Sequence, residues 1–351
     1  MIFKKEIKYQ FILTLAVLSI CILLNGCQSE NSPNSSKLIE DSPNGDKEGV
    51  RSTQNLNTGY IYDYNIIIAP DLSNRINTKL YPKPIHDSIL LNGFIDQIPS
   101  WLNLKNRKLN QKDVFKVDLI NQGVLNKNVV NARHLEIRFD EFVDMNSFND
   151  YFKHKLHEDI VNFKNSLEDA YDYSLKNPSG ADVWNYFNQT IHKSLKDTVA
   201  KEVLMANGST SSIKLFKQFK NAVIVITDGY VESANKEKGY QLDKSSVDLI
   251  RKEFKASGQE DLRKFIISNE KFHLKRTSKD LSQCNILVTE FFDRSLNSNG
   301  VATIQPTDFE ILEIVWKKWL FDSGAKTVEI LPKANSKAEY LKSIENFLLK
   351  L

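Results

Sequence analysis

Several short stretches place oxygen-bearing side chains where the chain leaves an apolar run. Asp71-Leu72-Ser73-Asn74-Arg75 follows the apolar segment 64–69, Thr227-Asp228-Gly229 closes the segment 222–227, and Asp293 follows the segment 286–292. Ser179-Gly180-Ala181-Asp182 stands just ahead of a helical pattern that carries Trp184. Asp71, Ser73, Asp182 and Asp228 offer carboxylate and hydroxyl oxygens, the hard ligands that Mg²⁺ and Mn²⁺ take. Mg²⁺ needs about six oxygens near ~2.1 Å and keeps several waters, so few protein ligands suffice and a partner's oxygen can complete the shell. Arg75 cuts across this chemistry, because a guanidinium repels a dication and favours carboxylates. One expectation is that Arg75 bridges Asp71 and Asp228 in a metal's place. The other is that it neutralises Asp182 while Asp71, Ser73 and Asp228 keep a weakened metal. Asp71 taken alone reads as a helix cap.

Other chemistry leaves few marks. No G-x-S-x-G elbow, G-x-x-x-x-G-K phosphate loop or G-x-G-x-x-G fingerprint occurs, which removes the usual signs of esterases, nucleotide hydrolases and dinucleotide enzymes. His154, His157 and Glu158 stand in the order H-K-L-H-E, which is not that of a zinc protease, and the pattern puts them on a solvated helix face. His86, His134, His192 and His273 have no recognisable acid or nucleophile partner. Lys and Arg number 47 against 44 acids, a formal charge of +3, and residues 1–26 supply +2 of it through Lys4, Lys5, Lys8 and Glu6. The remainder carries 3 − 2 = +1, so the sequence points to no nucleic-acid partner, which would need a clustered basic excess.

The elements that must position these residues follow from periodicity. Residues 64–69, 222–227 and 286–292 are short apolar runs of the kind that a central parallel strand needs when both its faces are covered. Residues 114–120 and 134–139 alternate like more exposed strands paired toward one sheet edge, and 328–331 forms a last strand. Helical spacing predicts helices over 85–98, with Ile89 on the buried face and Pro99 as the stop, over 147–175 and over 182–195. Thr307-Asp308-Phe309-Glu310 has capping-box spacing ahead of a helix with Leu312, Val315, Trp316 and Trp319 inward, ending at Gly324. A final helix buries Tyr340, Ile344, Phe347 and Leu348. Strands separated by helices require crossovers, which put helices on both faces of a mainly parallel sheet. The expected fold is α/β, three-layered and doubly wound, over residues 60–351. Surplus length falls at 104–148 and 230–283, read as insertions, the second a solvated helical one.

The first residues read as an address. Met1–Gln10 carries three lysines, and residues 11–24 form an apolar run too short to span a bilayer as a helix but suited to a signal peptide. Leu24-Asn25-Gly26-Cys27 resembles a bacterial lipobox, with Asn25 its one departure. It implies removal of residues 1–26 and lipidation of Cys27, so the membrane is a partner through that lipid and the protein sits extracytoplasmically in the cell envelope, most simply at the outer membrane or cell surface. Residues 27–59, rich in Ser, Asn, Pro and charge, form a tether with a reach of roughly 30 Å. Cys284 is then the one thiol left, and it reads as a small buried hydrophobe.

Asp71-x-Ser73 behind a buried first strand, a Gly-containing loop before a helix, and Thr227-Asp228-Gly229 closing a later strand, in that order, resemble the von Willebrand factor A fold and its metal-ion-dependent adhesion site. The resemblance rests on those short motifs and on the strand order over residues 60–351. It implies an Asp-x-Ser-x-Ser turn, a loop Thr and a second Asp around Mg²⁺ or Mn²⁺, with a vacant position for a partner protein's carboxylate. Here Arg75 stands where the second Ser is expected and Ala181 where the Thr is, so the site is degenerate and its Mg²⁺ or Mn²⁺ is left open. The expected function is a membrane-anchored protein-interaction module whose partner meets Arg75, Asp71 and Asp228; the partner itself is unidentified. The rivals are a metal-dependent hydrolase on the same carboxylates, for which the sequence offers no general base, and a structural envelope lipoprotein.

Overall fold

A computed structural model describes residues 58–107, 111–203 and 214–351. The expected signal segment, Cys27 and the expected tether up to residue 57 lie outside these. Among the described residues, no helix is long and apolar enough to cross a membrane.

The strands are β1 (Thr58–Pro70), β2 (Val114–Val117), β3 (Glu136–Arg138), β4 (Lys201–Val203), β5 (Lys214–Ile226), β6 (Val231–Glu232), β7 (Gln241–Leu242), β8 (Cys284–Phe291) and β9 (Thr327–Pro332). The main sheet runs β3-β2-β1-β5-β8-β9, with β4 paired to β5 and a separate β6-β7 hairpin. The pairs β1-β2, β1-β5, β5-β8 and β8-β9 are parallel, while β3 and β4 are antiparallel additions. The expected α/β doubly wound architecture is therefore present, with the expected strand pair, β2 and β3, at one edge.

Period-two alternation explains the layers. Ile66 and Ile68 face one side of β1, and Ile67 and Ala69 face the other. The first pair joins a core with Leu90 and Phe94, Phe163 and Leu167, and Ile344 and Phe347. These belong to α1 (Asp87–Asp96), α5 (Leu156–Lys176) and α10 (Lys337–Lys350). The second pair joins a core with Val247 and Ile250, Phe265 and Ile266, and Trp316 and Trp319. Those lie on α7 (Lys244–Ser257), α8 (Leu262–Ser268) and α9 (Asp308–Asp322). Each fully buried large aliphatic side chain stabilises the fold by roughly 1.5–3 kcal/mol.

Several local expectations are corrected. The helix over 85–98 is two: α1, then α2 (Ile98–Leu102), with Pro99 in the first turn of α2. Proline is at home there because a first-turn N–H has no helical partner to lose. Ile89 is 53% exposed rather than buried. The stretch 147–175 divides at Lys155 into α4 (Met145–His154) and α5. The helix over 182–195 is α6 (Val183–Asn185), a π turn (Tyr186–Thr190) and a 3₁₀ turn (Ile191–Lys193). Residues 104–148 carry β2, β3 and α3 (Gln122–Asn126), and 230–283 supplies the crossover that the parallel β5-β8 pair requires. The capping box of Thr307 and Glu310 opens α9 as expected. His154, His157 and Glu158 are exposed, and Cys284 is buried, its thiol pushed up to about 12 by desolvation.

From β1 the chain winds outward through β2 and β3, and from β5 it winds the opposite way through β8 and β9. The reversal lies between β1 and β5, so a crevice forms beyond their carboxyl ends. Asp71 and Asp228 stand there.

Candidate functional site

The crevice is small, about 110 Å³, and Asp71, Ser73, Arg75, Tyr81, Gly180, Asp228, Tyr230 and Arg294 are among its lining residues. A roomier hollow of about 480 Å³ lies among Asp63, Lys196 and Lys217 toward the other ends of the strands. The crevice at the switch point is the better candidate, because there the strand ends converge and buried charges meet.

Asp71 stitches the two central strands together. Its backbone N–H donates to Ile226 O at 2.9 Å, its Oδ1 accepts from Ser73 N–H at 2.9 Å, and its Oδ2 accepts from the Thr227 hydroxyl at 2.9 Å. Burial raises its pKa, with Asp228 adding to the rise and Arg75 opposing it. Asp228 Oδ1 accepts from Tyr230 N–H at 3.2 Å, and its Oδ2 pairs with Arg294 Nη2 at 2.9 Å. Gly229 holds φ at +90°, and a Cβ there would come within 2.9 Å of the Phe291 ring, so the turn after β5 requires glycine. Trp316 Nε1 fixes the same turn by donating to Gly229 O at 2.7 Å. Asn121 ties the neighbouring loops, accepting from Leu72 N–H at 2.8 Å and donating to Gly180 O at 2.9 Å.

Arg75 does not bridge Asp71 and Asp228. Its Nη1 donates to Asp87 Oδ2 at 2.6 Å and to the Asp71 carbonyl at 3.0 Å, while its Nε and Nη2 have no partner. Asp87 also accepts from Lys83 at 2.8 Å. Burial alone would raise the Asp87 pKa, but Arg75 and Lys83 outweigh it and hold the carboxyl well below its usual range. Nor does Arg75 neutralise Asp182. That carboxylate accepts from Asn185 N–H at 2.9 Å, from the Ser233 hydroxyl at 3.0 Å and from Ala234 N–H at 2.9 Å. It caps α6 and clamps the loop after β6.

The cation that pairs with Asp228 is Arg294. Its guanidinium lies 4.0 Å over the Tyr230 ring and 5.2 Å over the Tyr81 ring while it pairs with Asp228. The Tyr230 hydroxyl in turn donates to Asp308, which also holds Arg251 and Lys244. Sequence reasoning stopped one residue short, at Asp293, which caps the start of α9 by accepting from Phe309 N–H at 3.2 Å. Tyr81 gave no signal at all, since its role depends on a loop folding back over the crevice.

No family model matches the chain, and no curated protein matches it.

Several features of this arrangement oppose a dication. Asp71 and Asp228 have both oxygens engaged by protein donors, Asp182 is turned to its cap, and two guanidinium groups stand beside the site. Among the described residues, no cluster of three His, Cys, Asp or Glu could hold a metal. Arg294→Met should free Asp228 and raise Mn²⁺ affinity about tenfold or more, since an opposite charge in contact shifts a carboxylate's equilibria by that order. Titration calorimetry checks this, and unchanged affinity would mean that Arg294 does not compete for the site. Tyr230→Phe removes one hydrogen bond to a charged acceptor and should cost about 2 kcal/mol in urea unfolding.

Proposed function

We propose that this chain is a membrane-anchored, extracytoplasmic protein-interaction module resembling the von Willebrand factor A fold. Its binding face is the crevice at the β1/β5 switch point. A degenerate adhesion site works there without Mg²⁺ or Mn²⁺, Arg294 standing where relatives of that kind would hold a metal.

The observation that carries this reading is the Arg294–Asp228 pair, its guanidinium lying over two tyrosine rings that line, with it, a crevice of about 110 Å³. Small-molecule sites commonly measure about 300–1,000 Å³. A crevice this small suits one inserted side chain, which favours an interaction module over a hydrolase. A partner's carboxylate would compete with Asp228 for Arg294, whose side chain keeps 28% of its surface exposed.

Two experiments test the reading. Labelled palmitate should enter the wild-type chain and not Cys27→Ser; equal labelling would remove the anchor. Capture from envelope extracts should lose at least one protein when Asp228→Asn replaces wild type. Identical profiles would count against this face.

A further inference from the structure

We propose that the end of the sheet opposite Arg294, built from the first halves of β1 and β5, rests on an anionic bilayer surface. The proposal relies on the anchor reading, and it adds an orientation to it. The chain leading from Cys27 enters β1 at Thr58, so on the anchor reading the lipid is attached to the domain through this end.

β1 and β5 pair from Thr58↔Lys214 to Pro70↔Ile226. Their second halves form the core, whereas in the first halves Tyr60 is 54% and Ile61 37% exposed. On one face Tyr60 stacks on Tyr62 and on Phe216, with centroids 6.4 and 5.7 Å apart. Lys220 Nζ lies 4.4 Å over the Tyr62 ring. Lys105 and Lys326 are exposed beside it. Burial, and then the charges of Lys326 and Lys105, lower the proton affinity of Lys220, so each of the two flanking ammonium groups acts on Lys220. Among the described residues none of the three has an acidic partner. The acids nearby are taken: Asp63 by Lys217 at 3.0 Å, Asp140 by Lys196 at 2.7 Å and Asp113 by Arg107 at 2.6 Å.

Lysines that repel Lys220, next to an exposed Tyr60 stacked on a half-buried Tyr62, suit one kind of surface. Tyrosine rings settle at headgroup depth with the ring body in the apolar layer, and lysines extend their ammonium groups to lipid phosphates. Each lysine held near an anionic leaflet favours contact about fivefold, so three favour it roughly a hundredfold. β1 is 13 residues long, about 40 Å at ~3.3 Å per residue, and so carries the Arg294 crevice away from the bilayer into reach of a soluble partner.

The test uses the full lipid-modified chain in phosphatidylglycerol-containing vesicles and in phosphatidylcholine vesicles. A bimane probe is attached at Ile61→Cys or, at the crevice end, at Asn74→Cys, and headgroup spin-labelled lipid is the quencher. Quenching at 61 should exceed that at 74 about twofold or more in the anionic vesicles only. The triple variant Lys105→Glu/Lys220→Glu/Lys326→Glu should abolish the difference while still floating with the vesicles, and about 1 M salt should do the same to the unaltered lysines. Equal quenching at the two positions, or quenching at 61 that neither lipid charge nor salt alters, overturns the orientation and leaves the anchor standing. A chain that fails to float with either vesicle overturns the anchor reading and the orientation with it.

Discussion

Asp87→Ala should destabilise the protein by about 3–5 kcal/mol, the largest effect expected of any single change near the crevice. Asp87 and Arg75 are 1% and 2% exposed, and Lys83 shares the same carboxylate. Arg75 already leaves Nε and Nη2 without partners, and the buried hydroxyls of Tyr171 and Tyr340 also lack partners. Removing the acid leaves two cations in low dielectric with nothing to offset their desolvation, a far greater loss than that of an exposed pair. Arg75→Met/Asp87→Leu should recover part of the loss, because it removes one of the two stranded cations and fills similar volume, while Lys83 keeps its charge. Urea unfolding of the single and double variants checks this. Because the folded-state pKa of Asp87 is depressed, the stabilisation is present above the ordinary carboxylate range and is lost as pH falls through the native value. A single-variant loss below about 1 kcal/mol would show that the pair is solvated rather than buried.

Glu290→Gln should make the protein more stable at neutral and alkaline pH, by up to about 3 kcal/mol. Glu290 is 1% exposed, and burial, with Asp87 adding, pushes its pKa up to about 7 from an ordinary 4.5, against the pull of Lys83 and Arg75. The unfolded chain therefore loses this proton near its ordinary value while the native chain holds it to about 7. Across that window each rise in pH favours the unfolded state, and above it the penalty is complete, at about 1.4 kcal/mol per pH unit of difference. Glutamine keeps an acceptor for Ala334 N–H, which Glu290 Oε1 meets at 3.0 Å, and carries no charge. Stability curves of the two proteins should converge near pH 4 and separate toward pH 8. Parallel curves would show that Glu290 ionises as it does in water. The residue also sits at φ +71°, beside the register shift between β8 and β9, so its backbone is strained as well.

The strand ends were legible because buried β runs announce both themselves and the point at which they stop. The segments 64–69 and 222–227 placed Asp71 and Asp228 at the carboxyl ends of central strands before any pairing was known, and the structure sets those ends side by side. The partner of Arg75 was not legible. Asp87 lies 12 residues further on, at the start of α1, and only the packing of that helix brings it to 2.6 Å. Arg294 was hidden for a related reason: it acts on Asp228, 66 residues earlier, through the β5-β8 pairing. The stretch 182–195 misled by its spacing, since Trp184, Phe187 and Ile191 fit a regular helix. In the fold Trp184 bonds Lys275 O at 2.8 Å and Phe187 packs against Trp319, and the backbone takes a π turn between.

The most direct test of the metal-free interaction face is capture from envelope extract with the full chain, in EDTA and in Mn²⁺, beside Arg294→Ala. The proposed face should retain at least one partner in EDTA, gain nothing in Mn²⁺, and lose that partner in Arg294→Ala. A partner that appears only with Mn²⁺, and that Arg294→Ala keeps, would contradict the account and restore the metal to the site.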